Sequence, residues 1–147
     1  MKLQKIVNHL QKLHPKEIDL SLDRIKILCE KLGNPQEKIK AISVVGTNGK
    51  QSTINAIFSI LKEAKVKCNV YTSPHIQKIN ERFVFNNQML NDDELIDLFD
   101  EVEKINDQNP LTFFEALSAC YFYKAARYPN NINLIAVSYT HLTLPTN

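Results

Sequence analysis

Residues 46–52 read Gly-Thr-Asn-Gly-Lys-Gln-Ser. Only three residues of the 147 are glycine, where about 7% is usual in soluble proteins. Two of the three, Gly46 and Gly49, fall in this loop. Such spacing lets backbone N–H groups turn toward an anion, and a helix starting at the loop adds partial positive charge. Lys50 stands where a lysine reaches the outer phosphates of a nucleotide as a point charge. Ser52 and Thr53 add hydroxyls beside it. The residues point to phosphate binding by Gly46, Thr47, Asn48, Gly49, Lys50, Ser52 and Thr53. The strict pattern G-x-x-x-x-G-K-[ST] is not met, because Val44 replaces its first glycine and Gln51 its hydroxyl. A plain strand-to-helix turn with an exposed lysine is the competing reading.

A phosphate loop needs a strand before it and a helix after it. Ala41 to Val45 is a short β-branched run that suits a buried strand, and Ile54, Ile57, Phe58 and Leu61 recur at helical spacing. Lys67 to Tyr71 reads as the next parallel strand, completing a βαβ unit. Upstream, Leu3, Ile6, Val7, Leu10 and Leu13 mark an amphipathic helix broken at His14-Pro15. Ser21 is placed to cap a second helix bearing Leu22, Ile25, Leu28 and Leu32, with Gly33 as its C′ residue. Phe83 to Leu90 reads as a hairpin turning at Asn86-Asn87. Asn91 with Glu94, and Thr112 with Glu115, form capping boxes for two further helices. Ile132 to Val137 reads as a third strand of the sheet. The expected fold is α/β, a partial P-loop-type parallel sheet flanked by helices.

The formal net charge of +2 is too small to imply nucleic acid or an acidic membrane as a partner. No apolar run is long enough to span a bilayer. Cys29, Cys68 and Cys120 are odd in number and widely spaced, which fits a reduced, cytoplasmic protein. His9 and His14 read as scaffold, and Tyr121, Phe122 and Tyr123 as packing. Thr72-Ser73-Pro74-His75 leaves the end of the second strand, and on residue types alone is an ordinary turn.

Gly-Thr-Asn-Gly-Lys-x-Ser at 46–52 resembles the nucleotide loop of folylpolyglutamate synthases and dihydrofolate synthases, relatives of the Mur ligases. The resemblance is collinear. It includes His14-Pro15 with Ile18 to Leu22, Leu32-Gly33-Asn34-Pro35, Val70 to His75, Ile79-Asn80-Glu81-Arg82, and Leu111 to Ala116. It implies a ligase that uses ATP and Mg2+ to convert a carboxylate of dihydropteroate or folate into an acyl phosphate. The amino group of L-glutamate then displaces phosphate. It further implies that Lys50 is catalytic, that Ser73 is a magnesium ligand, and that the parent is a cytoplasmic monomer. The segment from Ser73 to Arg82 resembles the loop over the family's folate site. His75, Arg82, Thr112 and Phe114 are the implied substrate contacts. Arg82 either pairs with a carboxylate or solvates its loop. Thr112 is also explained as a cap, Phe114 as core, and His75 as an exposed loop residue.

The sequence departs from the family at three points. Gln51 replaces a glycine, and its side chain either crowds the phosphates or points away. Val45 stands where a small residue is commoner. Ala136 stands where the family has a glutamate that is a second magnesium ligand, and the glycine-rich run that should follow is missing. Residues 137–147 contain no lysine and no isoleucine, and resemble one reading frame of a sequencing-library adapter. The expected organisation is therefore residues 1–136 as the first part of an ATP-binding domain and 137–147 as a non-native tail. On that expectation the chain is an inactive fragment of a longer ligase. Two other readings remain, a different P-loop NTPase or kinase module and a non-catalytic fragment.

Overall fold

The computed structural model describes residues 2–14 and 21–137. Five helices and five strands follow in the order α1 (Lys2–Leu13), α2 (Asp23–Lys31), β1 (Lys40–Ser43), α3 (Lys50–Glu63), β2 (Cys68–Thr72), β3 (Phe83–Phe85), β4 (Gln88–Met89), α4 (Asp92–Asn106), α5 (Phe113–Ala125) and β5 (Ile132–Ala136). Short 3-10 turns occupy Pro35–Lys38 and Ile79–Arg82. The expected break at Pro15, the match at Ile18 to Leu20 and the tail from Ser138 onward lie outside the described residues.

One sheet carries the strands in the order β1-β5-β2-β3-β4. β1, β5 and β2 are parallel, with Lys40 opposite Ile132 and Cys68 opposite Ile132 on the other side. The last strand therefore inserts between the two strands of the expected βαβ unit. β3 and β4 extend the sheet antiparallel, so the sheet is mixed. Their turn is Asn86-Asn87, with φ of 54° and 66°. Both residues sit in the left-handed region that a two-residue hairpin turn demands, and asparagine tolerates it better than most residues.

Alternation along the central strands divides the core in two. Tyr71 and Ile135 point to one face, where α1, α2, α4 and α5 supply Val7, Leu28, Phe99 and Leu117. Val70, Leu134 and Ala136 point to the other, where α3 supplies Ile54 with Ile57, Phe58 and Leu61. Val137, first residue of the expected tail, is buried with the larger cluster.

Two expectations are corrected. β1 is exposed along its whole length, and Ile42 is 44% accessible. β1 is an edge strand, and α3 packs over β5 and β2, so β1 is not the buried strand its apolar run suggests. Ser21 is not the N-cap of α2. Leu22 holds that place without a side-chain bond, and Ser21 Oγ instead accepts from the Asp23 N–H at 3.3 Å. The C-terminus of α2 and the N-termini of α4 and α5 match their sequence signals. Gly33 turns out of α2 with φ of 84°, and the Asn34 N–H closes back on Cys29 O at 2.7 Å. Both capping boxes form. Asn91 Oδ1 accepts from the Glu94 N–H at 2.9 Å, and Thr112 Oγ1 from the Glu115 N–H at 3.1 Å.

Candidate functional site

The three parallel strands end at one cleft. Val44, leaving β1, donates its N–H to Ile135 O at 2.8 Å, and Ser73, leaving β2, donates to Ala136 O at 3.1 Å. The strand ends are thus laced together, and a cleft of about 530 Å³ opens outside them. It is lined by Thr47, Asn48, Gly49, Lys50 and Gln51 on one side. Thr72, Ser73, Pro74 and Ala136 line the other. Open α/β sheets bind ligands at this end, outside the carboxyl ends of their strands.

The loop from 46 to 50 is shaped by its two glycines. Gly49 precedes α3 with φ of 76°, a conformation that L side chains rarely adopt. Gly46 has φ of 154°. The first turn of α3 begins at Lys50, so its leading N–H groups have no intrahelical acceptor and point out of the helix toward the cleft side. Lys50 Nζ donates to Gly46 O at 2.7 Å, folding the ammonium over the loop. Thr53 Oγ1 donates to Gly49 O at 2.9 Å. Gln51 does not fold over the loop. Its amide donates to Asn55 Oδ1 at 3.1 Å, one turn along α3.

Sequence reasoning named Thr47, Asn48, Gly49, Lys50 and Ser73, and all five line this cleft. Gly46 is not part of the lining, and its carbonyl accepts from Lys50 Nζ. Ser52 and Thr53 sit exposed on the first turn of α3 and are not part of its lining. Ser73 is buried, with 8% of its surface accessible, and precedes a cis peptide bond to Pro74.

One residue of the cleft was missed. Glu81 accepts the N–H groups of Ile76, Gln77 and Lys78, each at 2.9 Å. These three bonds hold its carboxyl below the ordinary carboxylate range, and they close the loop that follows Ser73-Pro74. The signal was a carboxylate three residues after a loop, the N3 position of a capping box.

The four expected substrate contacts divide into two groups. Arg82 is only 5% accessible. Its Nε donates to His75 Nδ1 at 2.8 Å, and its guanidinium carbon lies 5.7 Å from the centre of the Phe114 ring. Burial lowers the Arg82 pKa, and burial followed by the Arg82 charge lowers that of His75. Arg82 Nη1 is buried and donates no hydrogen bond among the described residues. Thr112 stands apart at the start of α5, where its hydroxyl caps the helix. Among the described residues no group of three or more His, Cys, Asp or Glu is placed to hold a metal ion. No described helix is long and apolar enough to cross a membrane.

No protein-family model matches the chain. It is 36% identical over 123 residues to the dihydrofolate synthase/folylpolyglutamate synthase of Escherichia coli, covering 82% of this chain and 29% of the relative. The Haemophilus influenzae enzyme of the same name is 39% identical over 123 residues, covering 82% and 28%. The solved structure of E. coli FolC in complex with DHPP and ADP superposes with a TM-score of 0.83 at 30% identity, over 91% of this chain and 32% of that one. The chain belongs to the folylpolyglutamate synthase/dihydrofolate synthase family. Its five-stranded sheet and flanking helices are the Mur-ligase-like N-terminal fold of that family. It spans about 30% of the length of the relatives it matches. A Mycobacterium tuberculosis folylpolyglutamate synthase complexed with ADP also superposes, with a TM-score of 0.81 at 27% identity. So does a bifunctional family member with Mn, AMPPNP and L-glutamate bound, with a TM-score of 0.80 at 27% identity.

Proposed function

We propose that the cleft at the strand ends is the phosphate site of an ATP-dependent ligase that joins L-glutamate to dihydropteroate or to a folate. Residues 1–136 are on this reading the first part of its ATP-binding domain. One observation supports the reading above the others. The 46–50 loop and Ser73, far apart in sequence, line one cleft outside three parallel strands.

The loop suits a triphosphate. The N–H groups of the first turn of α3 supply donors and a positive dipole end. Lys50 supplies a mobile cation whose present bond to Gly46 O is readily exchanged for a phosphate oxygen. Ser73 offers a hard oxygen donor across the cleft, as magnesium prefers. Ala136, which lines the same cleft, offers none. Glu81 is engaged by three backbone N–H groups. Magnesium would therefore be held by Ser73 and phosphate oxygens alone, fewer protein ligands than the family pattern provides.

In the ligase, Lys50 and the loop would neutralise charge that builds up as the terminal phosphoryl group passes to the substrate carboxylate. Bound magnesium would supply further charge neutralisation there. Glutamate then displaces phosphate to form the amide. The chain spans about 30% of the length of its relatives, and by itself it is read as a nucleotide-binding piece without ligase activity. The parent is proposed to be cytoplasmic.

Titration of the chain with magnesium-ATP, followed by amide NMR shifts, tests the reading. Saturable shifts centred on 46–53 and 72–74 support it. Shifts scattered elsewhere, or none, refute it.

A further inference from the structure

α1 and α4 lie side by side on the face of the sheet away from α3. They run parallel and level. His14, at the end of α1, meets Glu103 near the end of α4 at 3.1 Å, and Leu3 lines one cavity with Asp92 at the start of α4. Between the two helices an open groove of about 320 Å³ is floored by Leu10 and Phe99, both buried, and flanked by the half-buried Ile6 and Leu13. The helices carry opposite charge outward. α1 exposes Lys2, Lys5, His9 and Lys12 and has no acidic residue. The outward stripe of α4 is Asp93, Asp97 and Asp100, then Lys104, with Asp107 just past its end. Among the described residues none of Lys2, Lys5, Lys12, Asp93, Asp97 and Asp100 makes an ion pair. The groove keeps the two stripes from neutralising each other within the chain.

A surface built from one basic and one acidic helix, parallel and level, is complementary to itself about a two-fold axis running along the helices. Such an axis sets α1 of one copy on α4 of the other and preserves heights, so every contact forms twice. An axis across the helices would set α1 on α1 and α4 on α4, with like charges facing. His14 and Glu103, 89 apart in sequence, stand level. By the same offset Lys5 comes to lie between Asp93 and Asp97 of the second copy, and Lys12 beside its Asp100.

We infer that the α1–α4 face docks a second copy of this chain, forming a two-fold dimer in which the basic helix of each copy lies on the acidic helix of the other. Ile6 and Leu13 gain cover at its centre, and the lysine–carboxylate contacts surround them. α1, with 12 residues, is about 18 Å long, and two adjacent helices are about 20 Å across. A patch of that extent belongs with weak, transient interfaces rather than obligate ones. The contacts are exposed ion pairs, which salt screens. The groove shares no lining residue with the nucleotide cleft, so the dimer neither rests on the nucleotide reading nor bears on it. It departs from the monomer that the family resemblance implies for the parent.

The test is sedimentation velocity of the chain over about 20–500 µM, the range suited to a weak interface, with Lys5→Glu, Asp97→Lys and the chain carrying both changes. Lys5 and Asp97 are exposed and have no ion pair among the described residues, so the variants keep the fold, as thermal melting checks. Wild type should show reversible monomer–dimer exchange that weakens at least about tenfold between about 20 mM and about 0.5 M salt. Each single variant should weaken the dimer at least about tenfold, because symmetry turns two attractions into two repulsions. An equimolar mixture of the two single variants should associate again, since each reversed side chain then meets the other, and the chain carrying both changes should self-associate like wild type. A monomeric wild type across the range overturns the inference, as do salt-independent association, wild-type affinity in either single variant, and a mixture that stays monomeric. Association through the open β1 edge would ignore both charge changes and would overturn it equally.

Discussion

Asn133 is wholly buried near the start of β5, the strand between β1 and β2, and its replacement by leucine gives a worked prediction. Its Oδ1 accepts from Tyr121 OH at 2.6 Å and from Asn69 Nδ2 at 3.1 Å, and its Nδ2 donates to Lys40 O at 3.1 Å. Asn69 in turn accepts from the Asn86 N–H and from Asn131 Nδ2. The network therefore ties β1, β2, β5, α5 and the hairpin turn together. Asn133→Leu strands two buried donors, the Tyr121 hydroxyl and the Asn69 amide. Each stranded donor costs about 1–3 kcal/mol. Burying leucine instead of asparagine returns about 2 kcal/mol. The expected net loss is up to about 4 kcal/mol, read as a lower urea midpoint at unchanged slope. Tyr121→Phe in the Asn133→Leu background removes one stranded donor and should recover about 1–2 kcal/mol, whereas in wild type the same change should cost about 1 kcal/mol. The opposite signs are the decisive feature. If Tyr121→Phe has the same effect in both backgrounds, the hydroxyl is not coupled to Asn133 and the network argument is wrong.

Further outcomes follow from the site. Gly49→Ala meets no atom within 4 Å of the added carbon, so its effect is conformational: about 1–2 kcal/mol of stability from the positive φ, measured by thermal melting, with weaker nucleotide binding because the loop must shift. His75 has its pKa lowered from 6.5, so the unfolded chain takes up the proton first. Stability from this group is complete above about pH 6.5 and is lost as pH falls below it. His75→Asn keeps an acceptor for Arg82 and should flatten that part of the denaturation-pH profile; an unchanged profile refutes the assignment. Glu101→Ala breaks a bridge to Arg127 that is nearly half exposed at both ends, and should cost no more than about 1 kcal/mol by urea titration.

The elements carried by local chemistry were readable from residues alone. Asn91 with Glu94 and Thr112 with Glu115 are three residues apart, and each satisfies helix-end N–H groups without outside help. Asn86-Asn87 announces a tight hairpin because few residues accept positive φ twice in succession. The loop at 46–50 was legible for the same reason, since its glycines have a conformational purpose. What local chemistry does not encode is neighbourhood. Nothing in Ile132 to Ala136 says that β5 will insert between β1 and β2, so the lacing of Val44 and Ser73 to β5 was not visible. β1 was misjudged because a β-branched run shows what a strand can bury, not whether a helix covers it. Glu81 was missed because its N-cap position holds Lys78, not the Ser, Thr, Asp or Asn that flags a capping box in sequence.

The central claim is that the 46–50 loop is a working phosphate site whose cation is Lys50. The most direct measurement compares magnesium-ATP binding by wild type and Lys50→Ala in the same calorimetric titration. Lys50 is only part-buried and its ammonium donates to a loop carbonyl, so the variant should keep the fold and melt near wild type. Loss of a charge-assisted contact to phosphate, about 1.5–3 kcal/mol, predicts affinity weaker by at least about tenfold. Wild-type binding with equal affinity in a folded Lys50→Ala chain would contradict the claim.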